Sequence, residues 1–336
     1  MGKLTIRDVA RAAGVHPATA SRALNPRLPG RISAETTQRV VEAAAELGYV
    51  VDVVGRSLRT RRSATIGVLV PDLLNPFYPP LLRGVGRALR HAGFEALIAS
   101  TDNELDQESA IIAGFKARQC DGYIIASATL DDPTVRSLVA DGLPVVLVNR
   151  LSDAIVPSVV SDDAQGIAEA VRHLRGLGHR KIAHLTGPAQ LSVTETREKA
   201  FRAAAPKGIV VHAQTYTAAA GEQACTGLLD SSDVTAILAG NDMIAVGCYA
   251  AFDSRGLSCP ADVSLVGINN MPLAEWLRPG LTTVAIPQEN LGEEAARLIV
   301  ALVADPAADL DSVVLPTRLV VRGSTARVRR AKHPSA

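Results

Sequence analysis

A chain of 336 residues is too long for one ordinary domain and builds two or three with sizeable cores. Its 47% hydrophobic and 21% charged residues exclude a disordered chain, and with no run of about 18 apolar residues a membrane span is excluded too. The net charge of +1 hides an asymmetry: residues 1–62 hold 11 Lys and Arg against 5 Asp and Glu, a net +6, which leaves −5 on residues 63–336. A basic head on an acidic body is the footprint of a phosphate-contacting module joined to a body that does not touch nucleic acid.

The head begins with TIRDVARAAGVHPATASRALN, Thr5–Asn25. Thr5 is a good helix cap whose hydroxyl can accept a free amide of the first turn. Ile6, Val9, Ala10 and Ala13 then make one apolar stripe at helical spacing. Gly14 suits the left-handed residue that ends a helix, and Pro17 suits the first position of the next. That second helix, Pro17–Leu24, buries Ala20 and Leu24 and turns Ala18, Thr19, Ser21 and Arg22 outward. Two short helices joined by such a turn form a helix-turn-helix, whose second helix can lie in a DNA major groove. The bland alternative is any helical hairpin of a small domain, and the local basic charge favours the DNA reading. Pro26–Arg31 follows as a loop, and Ser33 caps a third helix with Val40, Ala44 and Leu47 inward and Gly48 at its end.

Val51–Arg62, VDVVGRSLRTRR, is too short and basic to be a domain. It reads either as a solvated linker or as a turn of helix in which Leu58 stands among Arg56 and Arg59. The second form suits a minor groove, where an apolar wedge parts a base step while arginines hold phosphates. From Ala64 onward β-rich runs alternate with helices of about 12–15 residues, the pattern of parallel sheets covered on both faces. The expected strands are 65–70, 95–100, 122–126, 145–149, 181–186, 234–239, 263–267, 282–286, 313–315 and 318–321. The expected helices include 77–92, 106–118, 163–177, 193–204, 242–255 and 288–304. This is too much for one open sheet, so two α/β lobes with a ligand between them are expected. Ligands in such folds gather at the carboxyl ends of strands. The loops there hold Asn75-Pro-Phe-Tyr78, Asn149-Arg150, Ser161-Asp-Asp163, Asn241-Asp242 and Asn269-Asn270. Each Asn alone is a natural turn former, but their recurrence fits a cleft that hydrogen-bonds a polar small molecule. The chain closes in RGSTARVRRAKHPSA, with five basic residues and no acid, expected to be disordered.

With these motifs in place, the chain resembles the LacI/GalR family of ligand-responsive bacterial transcription regulators over nearly its whole length. TIRDVARAAGV…ATASRALN resembles the family's headpiece signature. IGVLVPDLLNPFY, CDGYII, VVLVNR, DDAQGIAEAVRHLRGLGHRKIAHLTGP, AGNDMIAVG, VSLVGINN and PGLTTVAIP follow in the family's order. The resemblance implies an all-α helix-turn-helix headpiece (1–50), a hinge (51–62) and an α/β two-lobed, periplasmic-binding-protein-like (type I) sensor with parallel sheets (63–330). Its N-lobe would take about 63–160 and 288–315, its C-lobe about 161–287 and 316–325, before a tail at 326–336. It further implies a cytoplasmic homodimer on a pseudo-palindromic double-stranded operator, with a small effector, a sugar or sugar derivative, controlling repression.

Carried over residue by residue, the resemblance assigns DNA contacts to Thr5, His16, Pro17, Ala18, Thr19, Ser21, Arg22, Asn25, Arg56, Leu58 and Arg59. It assigns effector contacts to Asn75, Phe77, Tyr78, Asn149, Arg197, Tyr216, Asn241, Asp242 and Asn269. His16 replaces the family's usual Ser, so the second helix is expected to lose its preferred cap. The loop 26–31 is about two residues longer than usual. Val51 and Gly55 replace a common Pro and Ala, so the hinge is expected to order only on DNA. Asn149 and Asn269 replace frequent Asp residues, which would leave Arg197 less neutralised and tilt the effector slightly towards negative charge, although a neutral sugar remains the main expectation.

No catalytic or metal site and no cofactor are expected. Gly84-Val-Gly86 lies within a helical pattern and lacks the third glycine of a dinucleotide loop; no G-x-S-x-G, P-loop or H-E-x-x-H occurs. His173, His179 and His184 do not share a face, and Cys120, Cys225, Cys248 and Cys259 are scattered, as for free thiols. A solute-binding protein would share the body, but the basic headpiece and the polar N-terminus argue against it. A protein corepressor in place of the small effector is the other alternative.

Overall fold

A computed structural model of the chain describes residues 4–24, 32–49 and 63–328. The headpiece comprises α1 (Ile6–Ala12), α2 (Pro17–Ala23) and α3 (Ala34–Glu46). Val9, Ala10, Ala20, Val40, Ala43 and Ala44 form its buried core, and Leu24 is only half-buried. Thr5 and Asp8 form a capping box at the start of α1. The Thr5 hydroxyl donates to the Asp8 carboxylate at 2.7 Å, and the Thr5 amide donates to the same oxygen at 2.9 Å. These bonds from Thr5 hold the Asp8 carboxyl below its ordinary range. Gly14 takes φ +62°, as a left-handed terminator must.

Two sheets follow. The first has the order β11-β5-β4-β3-β1-β2, with β1 (Thr65–Val70), β2 (Glu95–Ser100), β3 (Gly122–Ile125), β4 (Val145–Val148), β5 (Ser158–Ser161) and β11 (Val313–Leu315). The second has the order β12-β10-β9-β8-β6-β7, with β6 (Ile182–Thr186), β7 (Ile209–His212), β8 (Ala236–Ala239), β9 (Ser264–Asn269), β10 (Thr282–Ala285) and β12 (Arg318–Val320). Every pairing is parallel except β10 with β12. The sequence pattern misses β5 and β7. Each is only four residues long: in β5 two valines are flanked by Ser158 and Ser161, and β7 is an edge strand with Ile209 and His212 exposed, so neither stands out as a long apolar run.

Helices cover both faces of each sheet. On the first lie α4 (Tyr78–His91), α5 (Leu105–Ala117), α6 (Pro133–Ala140) and α11 (Gln288–Ala304); on the second lie α7 (Asp163–Gly176), α8 (Ser192–Ala204), α9 (Ala218–Ser231) and α10 (Asp242–Asp253). The chain passes from one sheet to the other at residue 162, at 286–287 and at 316–317. These crossings are tied together: Thr317 Oγ1 donates to the Asp162 carbonyl at 2.9 Å, and the Asp162 amide donates to the Leu315 carbonyl at 2.8 Å.

Gly84, set aside above as part of a nucleotide loop, has a packing role instead. A Cβ built on it would lie 2.0 Å from the Glu289 carbonyl oxygen, and one on Gly292 would lie 2.1 Å from the Leu81 carbonyl oxygen. Helices α4 and α11 therefore touch backbone to backbone through paired glycines. Segment 322–328 also departs from the expected disorder. Ser324 is fully buried, its hydroxyl donating to the Leu265 carbonyl at 2.6 Å, and the Val328 amide reaches the Leu177 carbonyl at 3.0 Å. Buried backbone donors need partners, and these strand-like bonds supply them.

The glycine contacts set a differential test. Gly84→Ala forces a methyl into backbone atoms that cannot swing away and is expected to cost about 1–3 kcal/mol. Gly86→Ala meets only the movable Arg90 guanidinium, at 3.2 Å, and is expected to be neutral or to stabilise by up to about 1 kcal/mol through helix propensity. Denaturant midpoints of the two variants check this, and equal losses would contradict the backbone contact.

Candidate functional site

The headpiece presents α2 to solvent. His16, Ala18 and Arg22 are exposed, Pro17, Thr19 and Ser21 half-buried, and Thr5 is exposed at the start of α1. His16 does not leave α2 uncapped: its Nδ1 accepts the Ala18 amide at 3.2 Å, the bond a Ser hydroxyl would have made. The exposed face thus offers a ring, a methyl and a guanidinium, groups able to meet base edges and phosphates. Asn25, Arg56, Leu58 and Arg59, together with the loop 26–31 and the hinge, lie outside the described residues.

In the body, the carboxyl ends of the central strands of both sheets converge on an inner pocket of about 30 Å³, lined by Asn75, Phe77, Tyr78, Asn149, Arg150, Val193, Arg197, Tyr216, Asn241 and Asn269. It therefore gathers all but one of the residues that the resemblance assigned to an effector. It adjoins a larger cavity of about 330 Å³ that shares Asn75, Arg150 and Tyr216 with it and is further lined by Thr101, Glu108, Ser127, Gln190 and Gln214, among others. The larger cavity falls within the size range of small-molecule sites, about 300–1,000 Å³.

The asparagines combine two jobs that the sequence presents as alternatives. Asn149 follows β4 and Asn269 ends β9, with φ +65° and +116°, positive values that their short polar side chains tolerate. Asn241 caps α10, its Oδ1 accepting the Ile244 amide at 2.8 Å, and Asn75 Oδ1 accepts the Phe77 amide at 3.1 Å. The Asn241 amide nitrogen donates to the Tyr216 carbonyl at 3.4 Å, and all four asparagines line the pocket. Asn149 Oδ1, buried, has no hydrogen-bond partner. Phe77 and Tyr78 are core residues first, packed edge to face with ring centroids 5.1 Å apart. Tyr216 hydrogen-bonds Thr194 Oγ1 at 3.0 Å, and its ring lies over Gly187, where any Cβ would collide with it.

Arg197 is 3% exposed, and each of its three guanidinium nitrogens donates one hydrogen bond. Nε donates to Asp163 Oδ2 at 2.9 Å, Nη2 to Asp163 Oδ1 at 3.3 Å and Nη1 to the Gly240 carbonyl at 2.7 Å. Burial disfavours its charge, but Asp163 and Tyr216 together offset burial and its pKa lies above the ordinary value. The expected under-neutralised arginine, and with it the tilt towards an anionic effector, is overturned: Asp163 supplies the missing carboxylate. Asp163 was visible in the sequence only as part of a strand-end loop. Arg150, likewise missed, sends Nη1 to the Ser127 carbonyl at 3.1 Å.

Asp242 does not join the effector residues assigned to it. It is fully buried and lines neither cavity; its oxygens accept the Met271 amide at 2.7 Å and the Thr283 hydroxyl at 2.6 Å, pinning β9 and β10 behind the pocket. Burial pushes its carboxyl up to about 7. His173, His179 and His184 bind Thr325, Thr235 with the Ala326 carbonyl, and the Leu238 carbonyl respectively. Among the described residues no group of three or more His, Cys, Asp or Glu is placed to hold a metal ion. The cysteines there are free thiols. No helix among them is long and apolar enough to cross a membrane.

A helix-turn-helix on a two-lobed sensor defines a ligand-responsive DNA-binding regulator. Comparison with known proteins specifies which. Residues 5–52 match the model of bacterial regulatory proteins of the lacI family, and residues 171–325 match the periplasmic binding protein-like domain. The chain is 33% identical over 325 residues to the ribose operon repressor of Halalkalibacterium halodurans, covering 96% of this chain and 97% of that one. It is 32% identical to catabolite control protein A of Priestia megaterium, covering 96% and 99%. The lac repressor dimer bound to operator and the anti-inducer ONPF superposes with a TM-score of 0.82 at 26% identity, over 97% of this chain and 100% of that one. This chain belongs to the LacI family of bacterial regulatory proteins.

Two outcomes follow from the buried carboxylates. Arg197→Ala leaves Asp163 buried without its counter-ion and is expected to cost about 3–5 kcal/mol, whereas Arg197→Met with Asp163→Leu recovers most of it; equilibrium unfolding decides. For Asp242 the folded pKa of about 7 lies above the ordinary 3.8, so the native state holds the extra proton in between. Its contribution to stability is full below the lower value and is lost as pH rises through the upper one. Relative to Asp242→Asn, the parent protein is expected to lose stability from pH 4 to pH 7; parallel profiles would contradict this.

Proposed function

We propose that this chain is a homodimeric transcriptional repressor whose operator affinity is set by a sugar or sugar derivative held between its lobes. The observation that carries the reading is the convergence of Asn149, Arg150, Tyr216, Asn241 and Asn269, drawn from both sheets, on one polar pocket in a chain that also bears a basic helix-turn-helix. Amide donors and acceptors beside an aromatic ring are the groups that hydroxyl-rich ligands need. Related structures carry cellobiose in a CelR complex and ribose in a family member from Enterococcus faecium, which supports the same ligand class here. The neutralised Arg197 favours an uncharged ligand over a sugar phosphate or sugar acid. No catalysis is assigned, and the site of action is the cytoplasm.

In this reading α2 enters the major groove, with Ala18 offering a methyl contact and Arg22 a guanine edge or phosphate. Arg56, Leu58 and Arg59 enter the minor groove with their counterparts from the second subunit, Leu58 wedging a base step. Effector binding rotates the lobes about the crossings at 162, 286–287 and 316–317, separates the hinges and weakens operator affinity by a coupling of about 1–3 kcal/mol.

The test is a gel-shift titration of an inverted-repeat duplex from upstream of the gene, with and without ribose, cellobiose and related sugars. Release by a sugar in the parent protein, and tight operator binding without release in Asn241→Ala, are expected. Because phosphates carry much of the affinity, binding is also expected to weaken steeply with salt. Leu58→Ala is expected to bind operator at least about tenfold more weakly, since an unfilled base step forfeits the bend the wedge creates. Operator release by none of the sugars would remove the sugar from the proposal.

A further inference from the structure

The larger cavity has walls of unequal charge. The first-lobe side carries Asp72, Asp102, Glu104 and Glu108 with Arg150 as the cation; the second-lobe side contributes Gln190, Gln214, Thr215 and Tyr216 and no charge. Of the outer carboxylates, Asp72 Oδ1 accepts the Leu74 amide at 2.8 Å, Asp102 Oδ1 accepts the Ser100 hydroxyl at 2.7 Å, and Glu104 is exposed. Glu108 differs. It stands in the first turn of α5 at 3% exposure, and its Oε1 has no hydrogen-bond partner. Thr101 Oγ1, at 1% exposure on the same cavity, also has none. A buried carboxylate oxygen and a buried hydroxyl on one cavity, with the Ser127 hydroxyl also unpartnered there, call for polar partners, because unpaired buried polar atoms are costly.

The charge around Glu108 says which donor. Burial and the negative charge of Asp132 push its carboxyl up to about 7, against the opposing pull of Ser127 and Arg150. Arg150 is the cation of this wall, and its Nη1 is directed to the Ser127 carbonyl. Asp132 cannot donate; its oxygens accept the Thr129 and Val135 amides at 3.1 and 2.9 Å. What the site lacks is a compact positive charge with several N–H groups.

We propose that the larger cavity is a subsite for a ligand ammonium group, so that the effector is an amino sugar or an oligosaccharide containing one, its nitrogen donating to Glu108 Oε1 and Thr101 Oγ1. The proposal rests on the sugar reading above and sharpens it. An ammonium on a buried carboxylate makes a charge-assisted bond stronger than a hydroxyl can make. Tyr216, common to both cavities, then divides the amine-bearing ring from the part of the ligand beside Asn241 and Arg197.

Calorimetry on the full chain with three disaccharides that differ only in the 2-substituent of each ring tests this: the glucosamine disaccharide with its amines protonated, its N-acetylated counterpart, and cellobiose. The amine is expected to bind at least about tenfold tighter than cellobiose. That preference is expected to collapse in Glu108→Gln and to shrink in Thr101→Val, a second variant that keeps the test available if the first folds poorly. Binding of cellobiose with no preference for the amine, or a preference unchanged in both variants, overturns the subsite and leaves the sugar reading standing. Binding of none of the three overturns the subsite as well, while the operator titration with other sugars judges the broader reading separately.

Discussion

The buried pair Arg197–Asp163 is the interaction on which the rest of the sensor depends. Taking two charges out of water is costly, and this pair is tolerable because each guanidinium nitrogen finds an acceptor in Asp163 or the Gly240 carbonyl. Asp163 opens α7 directly after the chain crosses from the first sheet, and it also accepts the Ser161 hydroxyl from β5 at 2.9 Å. One ion pair therefore joins a crossing, helix α8 and the end of β8. It leaves the pocket electrically quiet where a free arginine would have demanded an anion.

That quiet floor shapes the reading of the ligand. With Arg197 satisfied and Asp242 withdrawn behind the pocket, recognition falls to amides, Tyr216 and the acidic outer wall. The same architecture explains how binding can be felt at a distance. The crossings are short and hydrogen-bonded, Gln288 Nε2 reaches the Asn269 carbonyl at 2.6 Å, and α4 and α11 meet as a rigid glycine-paired unit. In the proposed mechanism a ligand that draws the lobes together would move packed bodies about these crossings, because close-packed interiors shift as units and do not deform continuously.

Much of this was legible in the sequence. The alternation of strands and helices gave both lobes, since buried parallel strands and amphipathic helices have distinct periods, and the recurring asparagines marked the strand ends. Other features were not legible for physical reasons. Asp163 meets Arg197 across 34 residues, so neither residue announces the other. Glu108 sits in LDQES, where an acid near a helix start normally faces water; only the packing of α5 reveals its burial. Segment 322–328 looks like a basic tail because its contacts, made by the backbone and by Arg322, Ser324 and Thr325, reach residues far away in sequence that no charge pattern reports. His16 looked like a lost cap because an imidazole nitrogen is rarely counted among cap acceptors.

In the proposed mechanism the cleft and the DNA-reading headpiece share one conformational equilibrium. Thermodynamic linkage makes this measurable, since two ligands that compete through one equilibrium must weaken each other by the same factor. The most direct measurement is the affinity of the effector sugar for the full-length dimer alone and for the dimer saturated with operator duplex, at one salt concentration. A loss of sugar affinity on operator, equal to the loss of operator affinity on sugar and about 5–150-fold in size, is predicted. Identical sugar affinities with and without operator would contradict it.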